Sequence, residues 1–232
     1  MAQINELSVF FPAYNEEANI KSTVLKARKV LLKVVQKWEI IIVNDGSSDR
    51  TKEIAEGLAQ KDARIRVVNH SPNRGYGAAL KSGYRAARYP WVAFNDSDGQ
   101  FDFSEITKFI SKTGSADLIL GYRLKRADPF LRSVFTFVWG MIPRLLFGMN
   151  VRDYSCGFKL IKKEVFDDIQ PLVGEEKVTQ IEMLVKAKRK GYRFAEVGVH
   201  HYPREYGKQT GANIKVVLKS INDLLKLWKK LR

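Results

Sequence analysis

The chain has 232 residues, of which 45% are hydrophobic and 28% charged, a composition that can bury a full core and does not favour disorder. Forty Lys and Arg against 25 Asp and Glu give a formal charge of +15, which suits an anionic partner: nucleic acid, a phosphate-bearing substrate or an acidic membrane surface. Cys156 is the single cysteine, so an internal disulfide is excluded, a reducing cytosol is the simpler expectation, and the thiol reads as a small buried apolar group.

Taken in chain order, the first half alternates strand-like and helix-like runs. Leu7 to Phe11 is an apolar strand closed by Pro12, and a helical pattern after Asn15 carries Ile20, Val24, Leu25, Leu31 and Leu32. Trp38 to Val43 is β-rich and ends in a turn, Asn44-Asp45-Gly46-Ser47-Ser48-Asp49, with Ser48 or Asp49 placed to cap a helix from Arg50. Arg64 to Val68 is a third strand, Gly75 to Arg88 a third helix and Trp91 to Phe94 a fourth strand. Such alternation predicts an α/β fold, a mostly parallel sheet flanked by helices, with ligands at the carboxyl ends of its strands.

In the second half, Asp117 to Gly121, Phe158 to Ile161 and Tyr192 to Val199 are predicted strands, and Glu175 to Arg189 a helix. Phe130 to Phe147 is apolar and aromatic but interrupted by Arg132 and Arg144, with Gly140 and Pro143 between them. Asn213 to Leu231 closes the chain as a basic amphipathic helix. No linker or repeat divides the chain, so one catalytic domain over 1–212 is expected, with the helix over 213–232 as a membrane-surface element. The N-terminus lacks a signal-peptide pattern, and no run of about 18 apolar residues occurs, so a soluble or peripheral protein is expected.

The unusual polar residues fall at strand ends. In Phe94-Asn95-Asp96-Ser97-Asp98-Gly99-Gln100, Asp96 and Asp98 are two apart and face one point if the segment is extended. With the Gln100 amide oxygen they make a hard-oxygen set suited to Mg2+ or Mn2+. After the first strand, Tyr14 is placed to pack on a base or ribose; after the second, Asp45 is placed to accept from a base N–H. Asn73-Arg74-Gly75-Tyr76-Gly77 sets glycines and a cation before a helix N-terminus, an anion-binding pattern. The chain has neither G-x-G-x-x-G nor a P-loop, which argues against a dinucleotide oxidoreductase or an NTPase.

Phe11-Pro12-Ala13-Tyr14-Asn15-Glu16-Glu17, Val43 to Asp49, Asn73 to Ala79 and Asp96 to Gln100 together resemble family 2 glycosyltransferases in order and spacing. Within them the chain is most similar to the dolichol-phosphate mannose synthase group, over about Leu7 to Tyr206. The resemblance implies a single-domain GT-A fold and an inverting transfer of a hexose from a nucleoside diphosphate sugar of the GDP-mannose or UDP-glucose type to a polyprenyl phosphate. It further implies that Pro12, Ala13, Tyr14, Glu16, Asp45, Asp96, Ser97, Arg204 and Lys208 hold the donor and that Asp96, Asp98 and Gln100 hold the metal. Asp98, Arg123 and Glu182 are the expected catalytic residues, and Arg123, Arg132 and Ser133 the expected acceptor-phosphate site. Lys159 stands where the family usually has an arginine, keeping the charge and losing the bidentate fork.

A phosphate acceptor is already ionised; a hydroxyl acceptor needs a base, for which Glu182 is the candidate. The basic C-terminal helix and the Phe130 to Phe147 segment suit a peripheral site on the cytoplasmic face of a membrane. A nucleotidyltransferase would need a Gly-rich basic loop where this chain has Pro12-Ala13-Tyr14-Asn15-Glu16. A nucleic-acid binder would leave the strand-end motifs unexplained, so no nucleic-acid partner is expected.

Overall fold

The computed structural model describes residues 4–124, 140–174, 176–207 and 214–231. Strands β1 (Glu6–Ala13), β2 (Lys37–Asp45), β3 (Ile65–His70) and β4 (Trp91–Asn95) alternate with helices α1 (Ile20–Val34), α2 (Thr51–Lys61) and α3 (Tyr76–Ala86). There follow α4 (Ile106–Ile110), β5 (Leu118–Arg123) and helical residues at 140–147, here α5. The chain continues through β6 (Phe158–Lys162), α6 (Lys163–Asp168), α7 (Val178–Arg189), β7 (Phe194–Val199) and α8 (Ile214–Leu231).

The seven strands form one sheet in the order β3-β2-β1-β4-β6-β5-β7. All pairings are parallel except those of β6, which runs antiparallel between β4 and β5. The strand order turns back between β1 and β4, and a crevice at the carboxyl ends of neighbouring strands opens at such a switch point. The predicted α/β architecture is therefore the observed one.

Alternation along the strands divides the core between the two faces, because successive side chains point oppositely. Val9, Phe11, Ile40 and Ile42 pack against α1, α2 and α4, whereas Phe10, Ile41 and Val43 pack against α3, α6, α7 and α8. β2 runs two residues beyond its predicted end because Asn44 and Asp45 pair with Asn69 and His70 of β3. The turn begins only at Gly46 (φ 68°), where a Cβ would lie 2.5 Å from the Asn73 amide nitrogen.

Three helices depart from their patterns. In α1, Ile20, Val24, Ala27 and Leu31 form the buried stripe, while Leu25 and Leu32 are 44% and 51% exposed. Each follows a stripe residue directly, so it lies about 100° round the helix. α7 is buried on nearly every side, from Val178 to Ala187, because α3 packs against it on one side and α8 on another. α8 in turn buries Leu224 and Leu227 in the second core, so the terminal helix is part of the fold and not an appended segment. Among the described residues no helix is long and apolar enough to cross a membrane.

Gly83 sits inside α3 with its α-carbon against the Phe10 ring, which a Cβ would overlap. An exposed helical Gly→Ala change stabilises by up to ~1 kcal/mol. Here overpacking reverses the sign, and Gly83→Ala is expected to destabilise by about 1–3 kcal/mol in urea denaturation. A stabilised variant would show that the Phe10 ring moves aside freely.

Candidate active site at the carboxyl ends of the strands

The loops after β1 and β2 brace each other. Asn15 adopts φ 55°, its amide donates to Ser47 Oγ at 3.0 Å, and its Oδ1 accepts from the Ser48 amide at 2.8 Å. The Glu16 amide donates to Thr51 Oγ1 at 2.8 Å and the Glu17 amide to Asp49 Oδ2 at 3.1 Å. Asp49 Oδ1 also accepts from the Thr51 amide at 2.9 Å, a local Asx-type turn just before α2, whose N-cap is Arg50 and not the Ser48 or Asp49 expected from sequence. These bonds explain why α1 starts at Ile20 rather than after Asn15. They leave Tyr14 47% exposed at the mouth, beside the buried Ala13.

The segment after β4 behaves as its alternation predicts. Ser97 points inward, donates to the Pro12 carbonyl at 2.7 Å and has its own carbonyl bonded by Thr23 Oγ1 at 3.2 Å. Its side chain thereby ties the segment after β4 to β1. Asp96 and Asp98 lie on the other side. Asp98 Oδ1 accepts from the Gln100 amide at 3.1 Å, and Gln100 Nε2 donates to the Tyr202 carbonyl at 2.9 Å. With its nitrogen so occupied, the Gln100 side chain has its oxygen left for a cation.

Asp96 is the most constrained group. Its Oδ1 accepts from Tyr76 Oη at 3.1 Å, Tyr76 Oη accepts from Gln180 Nε2 at 3.1 Å, and the Gln180 oxygen accepts from buried Lys159. A Cβ on Gly157 would overlap Asp96 Oδ2. Burial pushes the Asp96 carboxyl up to about 7, with the Asp98 charge adding to the rise and the Tyr76 hydrogen bond opposing it. Burial also lowers the Lys159 ammonium and raises the Cys156 thiol to about 12. The thiol is thus an inert packing group, as expected.

Two carboxylates in mutual repulsion with one amide oxygen nearby fit a small divalent cation. Mg2+ and Mn2+ are commonly held by one or two carboxylates, with the remaining positions left to water and substrate phosphates. Among the described residues no group of three or more His, Cys, Asp or Glu side chains could hold a metal.

Basic residues surround this pair. Arg123, at the end of β5, makes a fork to Asp153 with Nε–Oδ2 2.8 Å and Nη2–Oδ1 3.1 Å. Arg204 reaches from beyond β7 to Glu16 Oε1 at 2.7 Å, and its Nη1 lies 3.8 Å from Asp98 Oδ2. Glu16 also accepts from Asn19 Nδ2 at 2.7 Å, yet burial raises its carboxyl. Asp45 is buried below the mouth, its Oδ1 bonded by His70 Nδ1 at 2.6 Å and by the Arg74 amide at 3.0 Å. Gly75 does open α3, but Glu176 Oε1 lies against it, so a carboxylate already stands at the expected anion site.

Glu182 is fully buried. Its Oε2 accepts from the Val173 and Gly174 amides at 2.9 and 2.5 Å, and Lys186 Nζ lies 2.9 Å from Oε1. It anchors the loop before α7, so the base expected for a hydroxyl acceptor has no exposed carboxylate at this position. Arg132, Ser133 and Lys208 lie outside the described residues. Tyr76 and Gln180 were missed as partners of Asp96; Tyr76 stood in a recognised motif, whereas Gln180 left no local signal.

A family model described as glycosyl transferase family 2 matches residues 8–170. The chain is 32% identical to glycosyltransferase AglD of Haloferax volcanii over 96% of its own length and 37% of that protein. It is 30% identical to a dodecaprenyl-phosphate galacturonate synthase of Rhizobium johnstonii, covering 87% of this chain and 60% of the relative. With the dolichyl-phosphate beta-glucosyltransferase ALG5A of Trichomonas vaginalis it shares 30% identity over 95% of this chain and 72% of the relative. It thus spans less than two thirds of the length of the first two relatives. Among solved structures, glucosyl-3-phosphoglycerate synthase from Mycobacterium tuberculosis with Mn2+, UDP and phosphoglyceric acid matches in fold. The TM-score is 0.74 at 19% identity, over 97% of this chain and 78% of that one.

Asp96 generates two predictions. Its folded pKa lies above the ordinary value, so the stability it contributes is full below about pH 4 and is lost as pH rises through about 7. In chelator-treated protein, Asp96→Asn should gain stability over the parent between pH 4 and 7, on the order of 2 kcal/mol, and level off above. A pH-independent difference would contradict that assignment. Gly157→Ala should displace the carboxylate and weaken Mn2+ binding by about 10–100-fold in titration calorimetry while the chain stays folded; unchanged binding would mean the carboxylate is free to move.

Proposed function

The chain belongs to glycosyl transferase family 2, and on that premise we propose that it moves a hexose from a nucleoside diphosphate sugar to a polyprenyl phosphate, with inversion. The observation that carries this reading is the convergence of Asp96, Asp98, Arg123 and Arg204 at the carboxyl ends of β4, β5 and β7. That clustering of two carboxylates among fixed cations suits a diphosphate leaving group facing an anionic acceptor.

Asp96, Asp98 and Gln100 would hold Mg2+ or Mn2+, which supplies charge neutralisation for the departing diphosphate. Pro12, Ala13 and Tyr14 would line the donor at the mouth of β1. Arg204, held by Glu16, would lie along the donor phosphates, where a pre-oriented guanidinium stabilises charge without reorganising. Lys208 is assigned to the same role by resemblance. Arg123 is oriented by its fork to Asp153 and would receive the acceptor phosphate, with Arg132 and Ser133 assigned alongside it. A phosphate oxygen needs no general base, which agrees with Glu182 being consumed as a loop anchor.

The same reading makes the protein peripheral on the cytoplasmic face of a membrane. Support comes from the charge of +15 and from exposed Met141 and Leu145 on α5 with Arg144 between them. Exposed Lys226, Lys229 and Lys230 on α8 add to it. Hydroxyl-acceptor transfer is the second reading; no described carboxylate favours it.

Purified protein incubated with Mn2+ or Mg2+, labelled GDP- and UDP-sugars and polyprenyl phosphate is expected to yield an acid-labile labelled lipid. Chelation should abolish the product and Asp98→Ala should lower the rate on the order of 100-fold or more. Donor turnover with no labelled lipid would refute the lipid acceptor while leaving sugar transfer intact.

A further inference from the structure

We infer that His70 and Ser82 are positioning residues that hold Asp45 to read the imide edge of the donor's base, so that uracil or guanine is accepted and cytosine and adenine are refused. The inference rests on the proposed nucleotide-sugar donor and on Asp45 as its base contact.

Asp45 and His70 are the last register pair of β2 and β3, so their side chains leave the sheet on the same face. His70 Nδ1 lies 2.6 Å from Asp45 Oδ1, with both side chains under 5% exposed. His70 Nε2 lies 2.9 Å from Ser82 Oγ on α3. Because a carboxylate accepts only, Nδ1 carries the ring proton; Nε2 then accepts, and Ser82 donates to it. The chain of donors runs in one direction from the helix to the carboxylate. Arg74 donates its amide to the same Oδ1 at 3.0 Å, and Asn73 Nδ2 donates to the Asp45 carbonyl at 2.7 Å. Both bonds to the carboxylate among the described residues thus fall on Oδ1, which locks its rotamer.

Ser, His and Asp in this order are also the parts of an acyl-transfer triad. Ser82 is the seventh residue of α3, where backbone amides are consumed by intrahelical bonds, so no amide pair stands beside Oγ to hold an oxyanion. The trio orients instead of attacking. An anchored carboxylate whose Oδ1 is filled presents Oδ2 to a ligand. Uracil N3 and guanine N1 carry a hydrogen that such an oxygen accepts. The corresponding nitrogens of cytosine and adenine carry lone pairs, which it repels.

The test compares UDP and GDP, each with Mn2+, with the same diphosphates methylated at uracil N3 or guanine N1, in titration calorimetry on the full chain. For whichever base binds tighter, the parent should prefer the unmethylated form by about tenfold or more. In His70→Ala that ratio should fall to within about twofold of one. His70→Asn, whose amide can still donate to Asp45, should recover it, and Ser82→Ala should give an intermediate ratio. A merely structural role would weaken both forms equally and leave the ratio unchanged. If His70→Ala keeps the parent ratio while Asp45→Ala loses it, the inference is overturned and the donor reading stands. If Asp45→Ala keeps it too, Asp45 does not contact the base, and the inference falls with that placement.

Discussion

Two carboxylates just after β4, one of them half-buried against the Gly157 backbone and the Tyr76 hydroxyl, set the terms for everything around them. Asp96 cannot move toward β6, because the Gly157 backbone closes on it, nor away from Tyr76, whose hydroxyl bonds it. The Asp98 charge works against ionisation of Asp96, and the positive charges of Lys159 and Arg123 work for it. Such an arrangement is unfavourable for an isolated fold, since burying charge without full pairing costs more than pairing returns. The proposed cation and donor diphosphate would complete that charge balance.

The antiparallel strand β6 is what brings this about. Running between β4 and β5, it places Gly157 and Lys159 beside Asp96 and reaches through Cys156 beneath Gly121, where a Cβ would be 2.6 Å from the Phe158 carbonyl. α7 then delivers Gln180 from the opposite layer. The relay Lys159–Gln180–Tyr76–Asp96 thus spans β6, α7, α3 and the end of β4, so the orientation of one carboxylate depends on four elements packing correctly.

A second set of ties acts at the rim. The loops after β1 and β2 exchange hydrogen bonds through Asn15, Glu16, Glu17, Ser47, Ser48, Asp49 and Thr51. The segment after β7 is clasped to them by Arg204 on Glu16 and by the Asn19 bond to the Tyr206 carbonyl. Glu16, Arg204 and Asp98 therefore form one electrostatic unit, and a ligand entering between them must exchange contacts with Arg204.

Local patterns in the chain carry the element order, the parallel character of the first four strands and the gathering of polar residues at strand ends, because period-2 and period-3.6 hydrophobicity and strand-end polar clusters are written in neighbouring residues. The same patterns did not show that Leu25 and Leu32 lie off the buried stripe, that Ser97 bonds the Pro12 carbonyl, that Glu182 is fully buried or that the last helix sets Leu224 and Leu227 in the second core. The deciding partners lie outside the local pattern: Pro12 for Ser97, the amides of the preceding loop at 173–174 for Glu182 and the second core for Leu224 and Leu227. The register that sets His70 beside Asp45, and the crossing of α7 that sets Gln180 beside Tyr76, exist only once sheet and helices have packed. Composition and spacing specify which chemical groups are present; burial, pairing and direction of approach decide which of them face a ligand and which hold the others still.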